Sequence, residues 1–309
     1  MTEPPADRPL LTSRSGRVRA ARKLLRRASR VEQRLFLAEG PQAVREALAT
    51  PDCVVEVFAT EGASLERELR AAPAGVPRSL ATGPPIWHRV DDDALATLTE
   101  TVHPQGIVAV CRFLDVPVDT LTAGATPDAG ATPDAGAAPG GDAAPTDRPA
   151  LLAICADVRD PGNAGTVVRC ADAAGADAVV LAGHSVDPYN GKAVRASAGS
   201  LFHVPLALAA DPAAVVRQVR ASGVQVLAAD GAGELDLDAA EHAGLLRRPT
   251  AWLFGNEAWG LPDELAALAD HRVAIPIHGR AESLNLATAA AVCLYASARH
   301  VRRKPHVRR

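Results

Sequence analysis

The residues best suited to chemistry fall in three short stretches, each placed after an apolar run. In the first, LFGNEAWGLP from Leu253 to Pro262, Ala251–Phe254 has the character of a buried strand that empties into GNEAWG, Gly255 to Gly260. Two glycines five apart begin like a phosphate-binding loop, G-x-x-x-x-G. Leu261 and Pro262 stand where that loop needs Lys and then Ser or Thr. The stretch is therefore not a nucleotide-phosphate cradle. Its glycines would still allow a ligand to approach the backbone closely, with the Glu257 carboxylate between them.

The second stretch is DVRDPGNAGTVVR, Asp157 to Arg169. Pro161 and Gly162 predict a turn, Asn163 is suited to cap a helix, and Arg169 falls about two turns later. Val167, Val168 and Ala171 give that helix its core face. A cation among them is costly unless it meets an anion. The third stretch is IPIHGRAESLNL, Ile275 to Leu286. A strand ends near Ile277, Ser283 is read as the cap of an Ala-rich helix, and Asn285 as part of its first turn.

Rival chemistries fit poorly. Gly231 and Gly233 follow a strand as in a dinucleotide fingerprint, but Asp236 occupies the third glycine position. Arg195–Gly199, RASAG, has Arg where a serine-hydrolase elbow starts with Gly. Cys53, Cys111, Cys155, Cys170 and Cys293 form no C-x-x-C pair and lack zinc-ligand spacing, so they are expected as buried free thiols and no metal is expected.

These loops need strands and helices to hold them. The 309 residues suit one or two domains, and 48% hydrophobic content is enough for ordinary cores. No apolar run approaches the ~18 residues of a membrane span, and the N-terminus has no secretory h-region, so a soluble cytoplasmic protein is expected. Residues 14–114 alternate helix and strand: a basic helix near 16–34, a strand at Leu35–Ala38, helices at Pro41–Ala49, 64–72 and 91–98, and strands at 53–60 and 106–113. Residues 115–149 contain GATPDA twice and are rich in Ala, Pro, Gly and Asp, which predicts a disordered linker. Residues 150–302 alternate more strongly, ending in a long helix over 282–300, and predict a doubly wound α/β domain with its site at the strand C-termini. Residues 303–309 form a basic tail.

Net charge is only −3, but its distribution is uneven. Residues 14–34 hold nine basic residues, Arg22, Lys23 and Arg26 among them, against one acidic residue; residues 299–309 hold six and none. Such clusters are an electrostatic footprint for phosphate backbones.

Taken together, the motifs carry a resemblance. N-x-G-x-x-x-R (Asn163, Gly165, Arg169), F-G-N-E-x-x-G-L and I-P-I-x(5)-S-L-N-x-A-x-A, in this order, resemble the three motifs of the SpoU/TrmH family in the SPOUT superfamily, S-adenosylmethionine-dependent RNA ribose 2′-O-methyltransferases. Asp187–Pro205 also looks like that family, whereas Trp259 in the glycine loop and the long linker depart from it. FLAEG, Phe36 to Gly40, and HPQGIVAV, His103 to Val110, resemble its N-terminal substrate-binding domain.

The resemblance implies a trefoil-knotted methyltransferase domain preceded by a small α/β, ribosomal-protein-like RNA-binding domain, in a homodimer. It implies S-adenosyl-L-methionine against Gly255, Ile275 and Leu284, and catalysis by Arg169 with Asn163, Glu257, Ser283 and Asn285. Because guanidinium is a poor base, Arg169 has two readings, assisting deprotonation of the 2′-OH or binding phosphate and steadying the developing oxyanion. Lys192 and Arg195 are candidate phosphate contacts. Structured RNA is the implied substrate, 23S ribosomal RNA ahead of tRNA. The alternative is a non-catalytic RNA-binding or ribosome-assembly protein on the same fold.

Overall fold

The computed structural model describes residues 9–61, 85–122 and 150–301. The helix expected at 64–72, the low-complexity stretch 123–149 and the basic tail lie outside these residues. The chain divides into two compact units. One comprises Met1–Leu114 with Pro161–Arg169 and Val186–His203; the other comprises Asp115–Asp160, Cys170–Ser185 and Val204–Arg309. The division expected at residue 114 is thus only part of the partition, because two later segments group with the N-terminal residues.

The first unit is built on a four-stranded mixed sheet. Its strands are β1 (Leu35–Glu39), β2 (Val54–Ala59), β3 (Ile86–Arg89) and β4 (Ile107–Arg112), in the order β1-β4-β2-β3. Its helices are α1 (Gly16–Arg22), α2 (Arg27–Gln33), α3 (Pro41–Ala49) and α4 (Asp92–Ala96). The single basic helix expected over 16–34 is broken: a 3-10 turn at Lys23–Leu25 and an extended Arg26 separate α1 from α2. The break lets Val18, Ala21 and Leu24 pack with Leu37, Phe58, Leu95 and Val108. The scarce aromatics are concentrated in this unit, where Tyr189 stacks on Phe113 at 3.9 Å and lies 4.8 Å from Phe36. Those contacts seat the segment Val186–His203 beside β1. Arg30 adds a buried clamp: its guanidinium meets Asp187 at 2.7 Å and donates to the carbonyls of Leu24 and Leu25.

The second unit is an eight-stranded parallel sheet. Its strands are β5 (Asp115–Val116), β6 (Leu151–Ala156), β7 (Ala178–Ala182), β8 (Leu206–Ala209), β9 (Gln225–Ala229), β10 (Leu235–Asp236), β11 (Thr250–Phe254) and β12 (His271–Ala274), in the order β10-β12-β9-β11-β6-β7-β8-β5. The associated helices are α5 (Val118–Thr122), α6 (Pro161–Ala174), α7 (Gly191–Ala196), α8 (Pro212–Ala221), α9 (Leu237–His242), α10 (Asp263–Ala266) and α11 (Leu286–Val301); α7 and the first nine residues of α6 group with the first unit. Strands β6, β7 and β11 are buried along their whole length, which explains their unbroken apolar sequences. Leu152, Ile154, Val180 and Leu253 pack on one face against Val215, Val216 and Val219 of α8. On the other face the buried Trp252 indole donates to Ser297 of α11 at 2.9 Å. Helices therefore cover both faces, as the alternation predicted. The expected linker is corrected at its start: Asp115–Val116 pairs with β8 as an edge strand, and Val118 and Leu121 of α5 pack on the core.

A candidate active site at the strand C-termini

In this sheet β6 lies between β7 and β11. The chain runs from β6 outward through β7 to β8, and β11 pairs with the other side of β6. That reversal is the switch point at which open parallel sheets form crevices at their strand C-termini. The loops after β6 and β11 flank it. The loop after β12 lies across β9, roughly two strand spacings or ~9.5 Å from β11.

The glycine loop is a closed hairpin. Asn256 and Gly260 exchange backbone hydrogen bonds, each 2.9 Å long. Gly255 has no room for a Cβ, which would fall 2.3 Å from the Gly260 carbonyl carbon, and Gly260 has φ +71°. The close approach that the glycines permit is thus made by the loop's own backbone. The buried Asn256 fastens the hairpin: its amide donates to the Asp157 carbonyl at 2.7 Å and its side-chain oxygen accepts the Ala258 N–H. Glu257 adds a second tie. Its carboxylate accepts the N–H groups of Arg159 and Asp160, both at 3.1 Å. Beneath the loop, burial and then the Glu257 charge push the Cys155 thiol up to about 12, so it remains a neutral core group.

Helix α6 starts directly after Asp160. Pro161, not Asn163, opens it, since Pro suits the first helical position with its fixed φ and missing N–H. Asn163 therefore lies inside the first turn rather than at the cap. Gly165 is a packing glycine, because a Cβ there would lie 2.3 Å from the Ala193 carbonyl oxygen of α7. Arg169 is exposed, and its guanidinium has no hydrogen-bond or ion-pair partner among the described residues. The anionic partner anticipated for it is not supplied by those residues.

After β12, residues Pro276–Leu284 make no backbone-to-backbone hydrogen bond among the described residues. Ile275 and Leu284 are half-buried at the two ends of this loop, and Ser283 and Asn285 are exposed. The cap assignment is corrected here. Asn285 caps α11, accepting the Ala287 N–H at 2.9 Å, while Ser283 lies two residues outside the cap. Apolar side chains beside backbone groups that have no backbone partner among the described residues fit an adenosyl group, which needs flat apolar walls and hydrogen bonds to its base edge. No cluster of metal-ligating side chains occurs among the described residues.

The expected phosphate contacts divide. Lys192 is exposed near the start of α7. Arg195 instead meets Glu39 of β1 at 3.1 Å and Glu100 at 3.9 Å, so it pins α7 within the first unit rather than presenting a free cation. Arg22, Lys23 and Arg26 are exposed, and Lys23 and Arg26 line a shallow groove of about 530 Å³ with Ala20, Ser29, Glu32 and Gln33. Sequence reasoning missed Asn256 and Asp157 as site builders. Asp157 has φ +57° and accepts the His184 N–H at 2.7 Å. The available signal was a polar Asn directly after a buried strand and glycine.

Comparison with known families and structures agrees with this geometry. Residues 150–295 match the SpoU rRNA Methylase family, and residues 16–109 match the MRM3-like substrate binding domain. The chain is 33% identical to the 23S rRNA (guanosine(2553)-2′-O)-methyltransferase RlmP of Bacillus subtilis, over 92% of this chain and 96% of that protein. The AdoMet-bound rRNA methyltransferase from Sinorhizobium meliloti superposes with a TM-score of 0.71 at 30% identity, covering 94% of this chain and 98% of that one. The SpoU methyltransferase AviRb from Streptomyces viridochromogenes, in complex with AdoMet, gives a TM-score of 0.72 at 28% identity over 93% and 98%. With near-complete alignment to these proteins and the motif loops assembled at one sheet edge, the chain belongs to the SpoU family of rRNA methylases.

Proposed function

We propose that this protein is an S-adenosylmethionine-dependent methyltransferase acting on a ribose 2′-OH of ribosomal RNA, with 23S rRNA as the favoured substrate. The observation that carries the reading is Arg169, an exposed guanidinium without a partner among the described residues, on a helix whose entry is tied through Glu257 to the glycine loop. An unpartnered cation of this kind is available to an anionic substrate. When bound, adenosylmethionine supplies an activated methyl group on a sulfonium. Gly255, Ile275 and Leu284 would hold it through backbone and apolar contacts.

The chain's own task is alignment and charge stabilisation. Arg169 binds the phosphate next to the target ribose and steadies the developing oxyanion; a guanidinium with its very high pKa is poorly suited to remove the proton itself. Asn163 orients Arg169 or the ribose. Glu257 fixes the entry of α6, and Ser283 and Asn285 position the target nucleotide and the cofactor loop. Lys192, Arg22, Lys23 and Arg26 grip the RNA backbone, which positions the substrate without reading its sequence.

The working form is a cytoplasmic homodimer with a trefoil knot around the cofactor. The exposed apolar side chains Val292 and Tyr295, one turn apart on α11, support a subunit interface there. Among the described residues no helix is long and apolar enough to cross a membrane. The division is 14–114 for substrate binding, 123–149 as linker, 115–122 together with 150–302 for catalysis and 303–309 as a basic tail. The test uses purified protein, labelled adenosylmethionine and separate pools of unmodified rRNA and tRNA, followed by digestion to nucleosides. Label in a 2′-O-methylnucleoside from rRNA is the expected result. Label from tRNA alone reassigns the substrate, and no label with no cofactor binding overturns the enzyme reading in favour of an RNA-binding scaffold.

A further inference from the structure

Trp259 is 60% exposed at the turn of the glycine hairpin. Its two counterparts are sheltered: Trp252 is fully buried and bonded to Ser297, and Trp87 is partly buried in β3. Neither a hydrogen bond nor a ring contact involves Trp259 among the described residues. Leaving so large an apolar surface in water is unfavourable, and in a chain with 3% aromatics it is also uncommon.

The mounting of the ring is rigid. Asn256 and Gly260 close the hairpin on either side, Asn256 ties it to Asp157, and Glu257 ties it to Arg159 and Asp160. The backbone beneath the ring therefore needs no ordering when a flat partner covers it, and only the two side-chain torsions of the indole are lost. It also stands two residues from Glu257, at the sheet edge where the motif loops assemble.

We propose that Trp259 is a stacking platform for an unpaired nucleobase of the RNA at the methylation site. The inference rests on the RNA-methylating reading above. A base in a single-stranded loop or bulge has lost part of its own stack, and an exposed indole face offers a replacement surface for any base. Such contacts contribute affinity without sequence readout. Trp259 is therefore a binding and positioning residue, distinct from the groups that act on the 2′-OH.

The test compares full-length wild type, Trp259→Ala and Trp259→Phe on an unmodified 23S rRNA transcript. The KM for RNA rises about ten- to a hundredfold in Trp259→Ala, and Trp259→Phe recovers most of the loss. The dissociation constant for adenosylmethionine, measured by calorimetry, stays unchanged. In a Trp87→Phe background, RNA quenches the indole fluorescence, and adding Trp259→Phe removes that quenching. Absent quenching or an unchanged RNA KM overturns the proposal. It is also overturned if cofactor affinity falls in parallel, which would place the ring on adenine, or if Trp259→Ala alone converts a dimer to monomers. Should wild type transfer no methyl group, the functional reading fails, and the quenching measurement by itself decides the stacking.

Discussion

The Glu257 carboxylate accepts the backbone N–H of Asp160 across 97 residues of sequence, at 3.1 Å. With the parallel bond from Arg159, this one side chain joins the loop after β11 to the loop after β6. The entry of the helix carrying Arg169 is thereby set from the neighbouring strand, and perturbing Glu257 should disturb both loops.

Glu257→Ala removes the acceptor of two backbone donors. Because the carboxylate is exposed, water replaces part of the loss, and the expected destabilisation is about 1 kcal/mol. Cofactor affinity and turnover should both fall, since the glycine hairpin loses one of its ties. Denaturant melts alongside calorimetric titration of adenosylmethionine measure this; unchanged cofactor affinity would argue against the coupling.

Arg169→Ala touches no protein partner among the described residues, so the melting temperature should remain within a degree or two of wild type, as for a neutral surface change. Methyl transfer should fall by ~10²-fold or more if the guanidinium steadies developing charge. Cofactor affinity should be nearly unaltered. Arg169→Lys should restore little of the rate where two-pronged phosphate recognition is required. Full activity in Arg169→Ala would remove this residue from the mechanism.

The Arg30–Asp187 pair is buried, with side chains 5% and 9% exposed. Removing one partner strands the other charge, so Arg30→Ala should cost about 3–5 kcal/mol. The double variant Arg30→Met with Asp187→Leu should be less damaging than Arg30→Ala. Equilibrium unfolding of the three proteins tests the ordering.

Acid should weaken the first unit through Glu56. The hydrogen bond from His88, reinforced by the Arg17 charge, holds this carboxyl below its ordinary value of 4.5, although burial opposes the shift. A depressed folded-state value contributes stability above the unfolded value, and that contribution disappears as pH falls through the folded one. Glu56→Gln should therefore lower stability at neutral pH and flatten the decline below about pH 4.5. Parallel declines in wild type and variant would dismiss Glu56 as a source of acid sensitivity.

The motifs were legible because each is local in sequence and sits where a strand ends. TAWLF forms β11 at the positions its apolar run indicated, and Pro41–Ala49 forms α3 as expected. Capping was less legible. Ser283 and Asn285 have similar capping chemistry, and the actual start of α11 is decided by how far the preceding loop runs before the helix can pack. The Pro161–Gly162 pair suggested a turn before the helix, yet Pro at the first helical position starts α6 two residues earlier. The two-residue strand β5 was hidden because it is too short to show periodicity and exists through its pairing with β8.

By itself the sequence determined the alternation of strands and helices, the three site loops, their likeness to one family and the uneven basic charge. These follow from local patterning, turn residues and composition. The tertiary structure decided which side chains meet. It turned Arg195 into a partner of Glu39, made Gly165 a packing position beside Ala193, and tied Glu257 and Asn256 to the loop after β6. It also left Arg169 and Trp259 without protein partners among the described residues. The physical reason is that hydrogen bonds, ion pairs and steric exclusion act over a few ångströms of space, and sequence separation does not record which distant segments the sheet brings that close.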